Sequence, residues 1–184
     1  MAASRSISAQ RDAMVDRWIA WLGDRVTSSS TVPLALVKLE LELLIDVFAS
    51  MVGPLRRETK PIWFRTAEQY GRHAAARGLA AGEVVEEMQY LRELLIRFLA
   101  PAIAALRPRQ GMALLLRLNR LVDRGVAMAV VGYTDALVAG FLSHQQDDTE
   151  ARTGSASDSD SIEEVLRELR AELEQTVSAP QPGA

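Results

Sequence analysis

The sequence predicts an all-α protein of about five helices, the last of them long, followed by a short C-terminal helix. The chain of 184 residues contains 27 Ala and 24 Leu against 11 Gly and 7 Pro, a composition typical of helical proteins. Apolar residues recur every three or four positions, which is the spacing of one helical face. Because 48% of the residues are hydrophobic and only 5% are aromatic, the expected core is mainly aliphatic.

The scarcity of reactive side chains argues against most classes of enzyme. The chain contains no Cys, which excludes disulfides, thiolate metal sites and Cys nucleophiles. Two His residues leave little material for a His-built metal site or for His-based catalysis. The formal charge of −3 gives no overall basic field for nucleic acid. We therefore expect no enzyme, no metal site and no nucleic-acid partner.

The first two helices are separated by a polar break. The first is predicted from about Ser8 to Val26, and Trp18 lies on its apolar face. A run of Ser and Thr over residues 27–31 ends it, because these side chains compete for backbone hydrogen bonds. The second helix, Leu34–Val52, follows Pro33, a residue suited to the start of a helix.

The third helix is predicted between a proline and a glycine. Gly53-Pro54 breaks the preceding pattern, and Pro61 can open a helix that extends from Ile62 to about Arg77. Gly78 then suits a C-terminal stop, because the left-handed backbone needed there carries no Cβ penalty for glycine.

The fourth helix is predicted from Glu83 to about Leu99, with Pro101 ending or kinking it. Its first turn is acidic, which matches the positive end of the helix dipole. We expect the carboxylates of this turn to be solvated rather than catalytic: Glu83, Glu86 and Glu87.

The fifth helix is predicted to begin after Pro108 and to extend to about Gln146. Its second half, Gly125–Leu142, carries a single charge, Asp135, and is near the length of a membrane span. Charges inside a span are rare. Burial in a core or in a dimer interface is therefore favoured over a membrane-associated adaptor that uses residues 125–142.

Small residues at intervals of four mark one face of this helix: Gly132, Ala136 and Gly140. Such spacing lets two helix backbones approach each other closely. The face is predicted to be a dimer interface, with packing against other helices of the same domain as an equal alternative.

A change of composition after residue 146 predicts a domain boundary. Residues 1–146 are expected to form the regulatory domain, and residues 147–160 a disordered acidic linker. A short amphipathic helix over 161–177 begins with an S-x-x-E capping box, and 178–184 is a tail. An apolar seam spaced 4, 3 and 4 along this helix is predicted to dock a partner: Ile162, Leu166, Leu169 and Leu173.

His73 is the candidate cofactor ligand. A single His on a helix is how globin-like proteins hold haem iron, and the aromatic residues nearby suit a flat ring. The alternative is a partly exposed polar residue among Arg72 and Arg77, and the expected state is free of any cofactor. A pocket for a small ligand is predicted from side chains on several helices: Trp18, Trp63, Tyr70, Met88 and Tyr90.

Four stretches occur in an informative order: Asp12–Trp18, Tyr70–Leu79, Glu83–Arg92, and a last one in two parts, Leu118–Asp123 and Ala127–Tyr133. The second has the pattern G-R-x-x-A-x-x-G and the third the pattern E-x-x-x-L-R. Together they resemble the N-terminal sensory domain of RsbR-type proteins, the RsbT co-antagonists of the bacterial stressosome. The same kind of domain precedes many bacterial sensor kinases.

The resemblance implies an all-α, globin-related fold that usually binds no haem, dimerises, and passes a signal through its last helix. Haem-binding relatives place the ligand His four residues before the Gly of a similar turn, and Ala74 holds that position here. His73 is therefore one residue out of place for haem. The second helix also lacks the Asp-x-x-Pro turn of the family.

We therefore expect a stand-alone, cytoplasmic signal-transduction domain that acts by protein–protein interaction. It is expected to form a homodimer, to bind a bacterial signalling protein, and to use its acidic C-terminal helix as the docking element. The N-terminus lacks the apolar stretch of a secretory signal, which favours the cytoplasm. The alternatives are a haem-based gas sensor using His73 and the membrane-associated adaptor.

Overall fold

The computed structural model describes residues 2–24, 32–146 and 155–179. Within these ranges the chain forms seven α-helices and no strand, which confirms the predicted all-α class. The helices are α1 (Ala2–Ala9), α2 (Arg11–Gly23), α3 (Leu34–Val52), α4 (Arg56–Ala76), α5 (Ala81–Ala104), α6 (Pro108–Gln146) and α7 (Ser155–Ser178).

The N-terminal segment forms two helices instead of the one predicted. Gln10 leaves the helical conformation, with φ −114° and ψ 10°, and separates α1 from α2. Its side-chain amide donates hydrogen bonds to the backbone oxygens of Ser6 (3.2 Å) and Phe98 (3.3 Å). The break is therefore tied to α5, a tertiary contact that the periodicity of the segment does not reveal.

Pro61 and Pro101 both lie inside helices, so Pro61 does not open α4 and Pro101 does not end α5. α4 begins five residues before Pro61, and α5 continues past Pro101 to Ala104. A proline in a helix leaves the carbonyl four residues earlier without its N–H donor. Here those carbonyls belong to Arg57 and Arg97, which are exposed, so water can replace the missing donor.

Gly78 ends α4 as predicted, with a positive φ of 78°. The Leu79 N–H donates to the Ala74 oxygen at 3.1 Å, and the Gly78 N–H donates to the Ala75 oxygen at 2.9 Å. This pair of bonds is a Schellman motif, which satisfies carbonyls at the end of the helix. At the start of α5, the side chain of Glu83 accepts a hydrogen bond of 2.6 Å from the Ala80 N–H. This bond caps the N-terminus of the helix.

The close crossing of α4 and α6 organises the centre of the fold. A Cβ atom on Gly71 would lie 1.8 Å from the Ala129 oxygen, and one on Gly132 would lie 1.9 Å from the Glu68 oxygen. Each helix therefore presents a glycine to the backbone of the other. At Gly132 the predicted dimer face is occupied by α4 of the same chain, which was the alternative explanation for the small-residue spacing.

α7 packs across α3 and α4. It begins at Ser155, six residues before the predicted start, so the last part of the predicted linker is helical. The remainder of that linker, 147–154, lies outside the described residues. The short helix predicted for the C-terminus is thus a helix of 24 residues that lies against the domain.

Candidate functional site: a buried polar cluster beneath the C-terminal helix

Four of the five residues predicted to line one pocket belong to the hydrophobic core, and Tyr90 packs against it. Trp18 and Tyr70 are in contact, with ring centroids 6.0 Å apart, and both are fully buried. Trp63 and Met88 are also fully buried and meet over Gly125, where a Cβ would lie 2.5 Å from the Trp63 ring. Tyr90 is partly buried.

Tyr90 stacks instead on Trp21, with ring centroids 4.4 Å apart and an interplanar angle of 8°. Trp63 uses its indole N–H to donate a hydrogen bond of 3.2 Å to the Leu121 oxygen. These contacts are the close packing expected of a core. The contacts assign these residues a role in packing. A ligand pocket formed by them stays a prediction.

His73 faces α3 and not an open cavity. Its side chain is 7% exposed, and its Nδ1 atom lies 2.5 Å from Oε1 of Glu40, which is itself buried. The adjoining hollow has a volume of about 230 Å³. Small-molecule sites commonly measure about 300–1,000 Å³. The geometry therefore favours a structural His–Glu pair over an axial haem ligand.

A buried ion pair joins Arg77, the residue that follows α4, to α5. Arg77 donates two hydrogen bonds to the carboxylate of Glu87, at 3.1 Å and 2.7 Å. The hydroxyl of Tyr70 donates to the same carboxylate, and the Arg77 guanidinium lies 5.4 Å from the centroid of the Tyr70 ring. Glu87 is only 3% exposed, so its predicted solvation was wrong.

Burial and neighbouring charges shift the pKa values of Tyr70 and Arg77. Burial raises the pKa of Tyr70 well above its ordinary value, and the Glu87 carboxylate raises it further. Burial by itself lowers the pKa of Arg77, but the negative charges around it outweigh that effect, so its pKa is raised. Tyr70 therefore remains a hydrogen-bond donor, and Arg77 remains a cation.

The His73–Glu40 and Arg77–Glu87 pairs interact electrostatically, and together with Tyr70 we call them the polar cluster. Its members come from three helices: Glu40, Tyr70, His73, Arg77 and Glu87. The charge of Glu40 contributes to the raised pKa values of both Tyr70 and Arg77. The cluster therefore fixes the positions of α3, α4 and α5 relative to one another.

The sequence does contain a signal that Glu40 and Glu87 are buried. Glu40 lies three residues after Val37 and four before Leu44, both of which are buried. Glu87 has the same relation to Val84 and Leu91. A carboxylate on an apolar helix face is expected to be buried and to have a partner. The sequence does not identify that partner.

α7 covers the polar cluster on its outer side. The hollow beside His73 is bounded on the other side by Ile162 and Val165 of α7. All four residues of the predicted docking seam are buried: Ile162, Leu166, Leu169 and Leu173. The seam thus contacts the chain's own α3 and α4 in this structure.

Ion pairs flank the buried seam. Arg170 of α7 lies 3.5 Å from Asp46 of α3, and Arg65 of α4 pairs with Glu172 of α7. Asp46 also pairs with Arg11 of α2 at 3.2 Å. Exposed pairs of this kind contribute little stability individually. The pairs of Arg170 and Glu172 join α7 to α3 and to α4, respectively, whereas the Arg11–Asp46 pair joins α2 to α3.

The outward face of α6 is apolar over its second half. The exposed hydrophobic residues there are Val131, Leu137, Val138, Phe141 and Leu142. Of the predicted dimer residues, Gly132 is buried against α4, and Ala136 and Gly140 are partly exposed. α6 is also long and apolar enough to cross a membrane, by length and composition, over Pro108–Leu142.

The helices and the polar cluster together define an all-α domain whose interior is tied together by charged pairs. The family model of the RsbT co-antagonist protein rsbRD N-terminal domain matches residues 12–148. The chain therefore belongs to this family, which confirms the resemblance drawn from the sequence. Membership supports a regulatory, signalling role in the stressosome. No curated protein and no solved structure matched the chain.

Proposed function

We propose that this chain is a cytoplasmic signal-transduction domain that dimerises through the exposed face of α6 and signals by protein–protein contact. The observation that carries the proposal is the apolar second half of α6. A helix of a soluble domain normally keeps its outward face polar. An exposed apolar surface on such a domain usually marks an interaction site.

The exposed positions repeat with the spacing of a helix pair. Ala127, Val131, Thr134, Val138 and Phe141 are separated by 4, 3, 4 and 3 residues, and all five are exposed. This is the spacing of a seam between two helices. The repeat spans about two heptads, so we assign it to a helix pair within a dimer and not to a long coiled coil.

The proposed face differs from the one predicted from small residues. An α-helix turns by about 100° per residue, so Val131 and Val138 lie about a third of a turn from Gly132, and Phe141 lies opposite it. Since Gly132 packs against Glu68 of the same chain, the side of α6 centred near Phe141 is the surface left for a partner. Ala136 and Gly140 lie about 40° and 80° from Gly132, on its side of the helix.

α7 is proposed to be the docking element for a bacterial signalling protein. Its buried seam holds it to α3 and α4, while its outward face is acidic, with Glu163, Glu164, Glu168 and Glu174 exposed. A partner can therefore bind the acidic face with α7 in place. Access to the seam requires release of α7 from the domain.

The dimer is tested with Val138→Ser combined with Phe141→Ser, which removes two residues that are 53% and 77% exposed. We expect wild-type chain to be a dimer by light scattering and the double variant to be a monomer with unchanged helical content. The control is Leu34→Ser, which removes an equally exposed residue from α3, 62% exposed, and should leave the dimer intact. A monomeric wild type, or a double variant that remains dimeric, would contradict the proposal.

Membrane association is the second candidate, because the same apolar face of α6 supports it. The close contacts of Gly132 and Gly125 with α4 and α5 place the other side of α6 in the protein core. That arrangement suits a helix packed in a domain better than one surrounded by lipid. If the chain sediments with phospholipid vesicles and the double serine variant does not, the apolar face binds membrane.

A further inference from the structure

A cleft between α4 and α6 is lined on both sides by cations. Its volume is about 670 Å³, and it lies at the start of α4 and the first half of α6. α4 contributes Arg56 and Lys60, and α6 contributes Arg117, Arg120 and Arg124. Both sets are spaced three or four residues apart, which places each set on one face of its helix.

These five cations have no carboxylate partner within the part of the chain that the structure describes. The ion pairs there use other arginines, such as Arg72 and Arg77. The cleft also includes Asp123, but that carboxylate pairs with Arg92 of α5. The lining therefore has an excess of positive charge, although residues 1–144 as a whole carry only four more basic than acidic side chains.

Such an arrangement of exposed cations favours the binding of an anion. Like charges gathered at one site repel one another, and an anion between them converts repulsion into attraction. Arginine is well suited to phosphate, because its planar group donates two parallel hydrogen bonds to two oxygens. Five cations exceed what a single phosphate needs.

The floor of the cleft is apolar. Met51, Phe64 and Leu121 line it, the half-exposed Leu116 lies at its edge, and the Lys60 ammonium lies 5.6 Å from the centroid of the Phe64 ring. A site that combines a charged rim with an aromatic and aliphatic floor suits a ligand with a charged part and a flat apolar part. Its volume falls in the range usual for small-molecule sites, about 300–1,000 Å³.

We propose that this cleft binds a small molecule that carries two or more phosphates, and that the apolar floor contacts an aromatic ring attached to them. The site is separate from both the polar cluster and the apolar half of α6. It would give the signalling domain a soluble input. The proposal does not depend on dimerisation or on the docking role of α7.

The test uses the full chain and isothermal titration calorimetry with ATP and with inorganic triphosphate at physiological salt. We expect both to bind, with ATP the tighter ligand because of its ring. Arg120→Gln combined with Arg124→Gln should weaken ATP binding by roughly tenfold to a hundredfold, since charge-assisted hydrogen bonds to phosphate are lost. The matched control is Arg97→Gln on α5, a cation that pairs with Glu93 outside the cleft and whose loss should leave affinity unchanged.

Two further measurements keep the test decisive. Circular dichroism should find the double variant folded, and Lys60→Gln provides a second, independent change on α4. Equal affinity for ATP and inorganic triphosphate overturns the contact with a ring. The absence of binding by both, equal weakening by Arg97→Gln, or full displacement by sulfate at matched ionic strength overturns the phosphate site.

Discussion

At the scale of single residues, the polar cluster is the feature that most constrains this domain. Glu87 accepts hydrogen bonds from Arg77 and Tyr70 in a region from which water is largely excluded. Charges in such a place are tolerated only as pairs. Removing one partner leaves the other buried and uncompensated, which costs more than the pair contributes.

We therefore expect Glu87→Gln to lower the free energy of unfolding by about 3–5 kcal/mol, measured by urea denaturation. The control is Glu93→Gln on the same helix, whose pair with Arg97 is largely exposed and should contribute only about 0–1 kcal/mol. Equal effects of the two substitutions would mean that the buried carboxylate is better compensated, or the exposed one more important, than their surroundings indicate.

Periodicity shows that Glu40 and Glu87 lie on apolar faces, but it does not identify their partners. His73 and Arg77 are brought to them by the way that α4 packs against its neighbours, 33 and 10 residues away in sequence. The elements were predictable from local patterns, whereas the site depends on which faces meet. That is why the predicted aromatic pocket and the observed cluster share Tyr70 and differ elsewhere.

At the scale of elements, the crossing of α4 and α6 depends on two glycines that serve as contact points. Gly71 and Gly132 each face a backbone carbonyl of the other helix at a distance that excludes a Cβ. Small residues at a helix crossing let the two backbones approach each other closely, in soluble proteins as in membranes. The spacing predicted close approach correctly, but not whether the neighbour was the same chain or a second one.

Gly71→Ala should therefore destabilise the domain by at least about 1–3 kcal/mol, the usual cost of forcing an extra carbon into a packed contact. Gly140→Ala is the matched comparison on α6. A Cβ there meets no atom within 4 Å, and alanine favours a helix by about 1 kcal/mol over glycine. The midpoint temperature of thermal unfolding should decrease for Gly71→Ala and increase for Gly140→Ala. A shift in the same direction for both would contradict the assigned contact.

At the scale of the whole molecule, α7 makes the domain larger than its family match. The matched region ends at residue 148, yet the seam of α7 is buried against α3 and α4 within that region. The 4-3-4 spacing of the seam predicted a docking helix from sequence alone. Its docking site could not be predicted, because it is formed by two helices that are distant in sequence.

Leu166→Asp should release α7, because it places a charge at a position that is 1% exposed. We expect hydrogen exchange over 155–178 to increase strongly, with α5 and α6 keeping their protection. The control is Ala171→Asp, an exposed position on the same helix. If hydrogen exchange over 155–178 is unchanged in Leu166→Asp, then α7 does not pack against α3 and α4 in solution.

The continuity of α6 has a mechanical consequence. Its 39 residues form one helix without a break, a rod roughly 58 Å long at 1.5 Å per residue. The cationic cleft is lined by α6 residues up to Arg124, and the apolar face extends from Ala127 to Phe141. Phe141 lies roughly 14 Å beyond the crossing at Gly132, so a tilt of α6 by about 5° about that crossing would displace Phe141 by roughly 1 Å. If α6 tilts as one rigid body, its two ends move together without a chain of side-chain rearrangements between them.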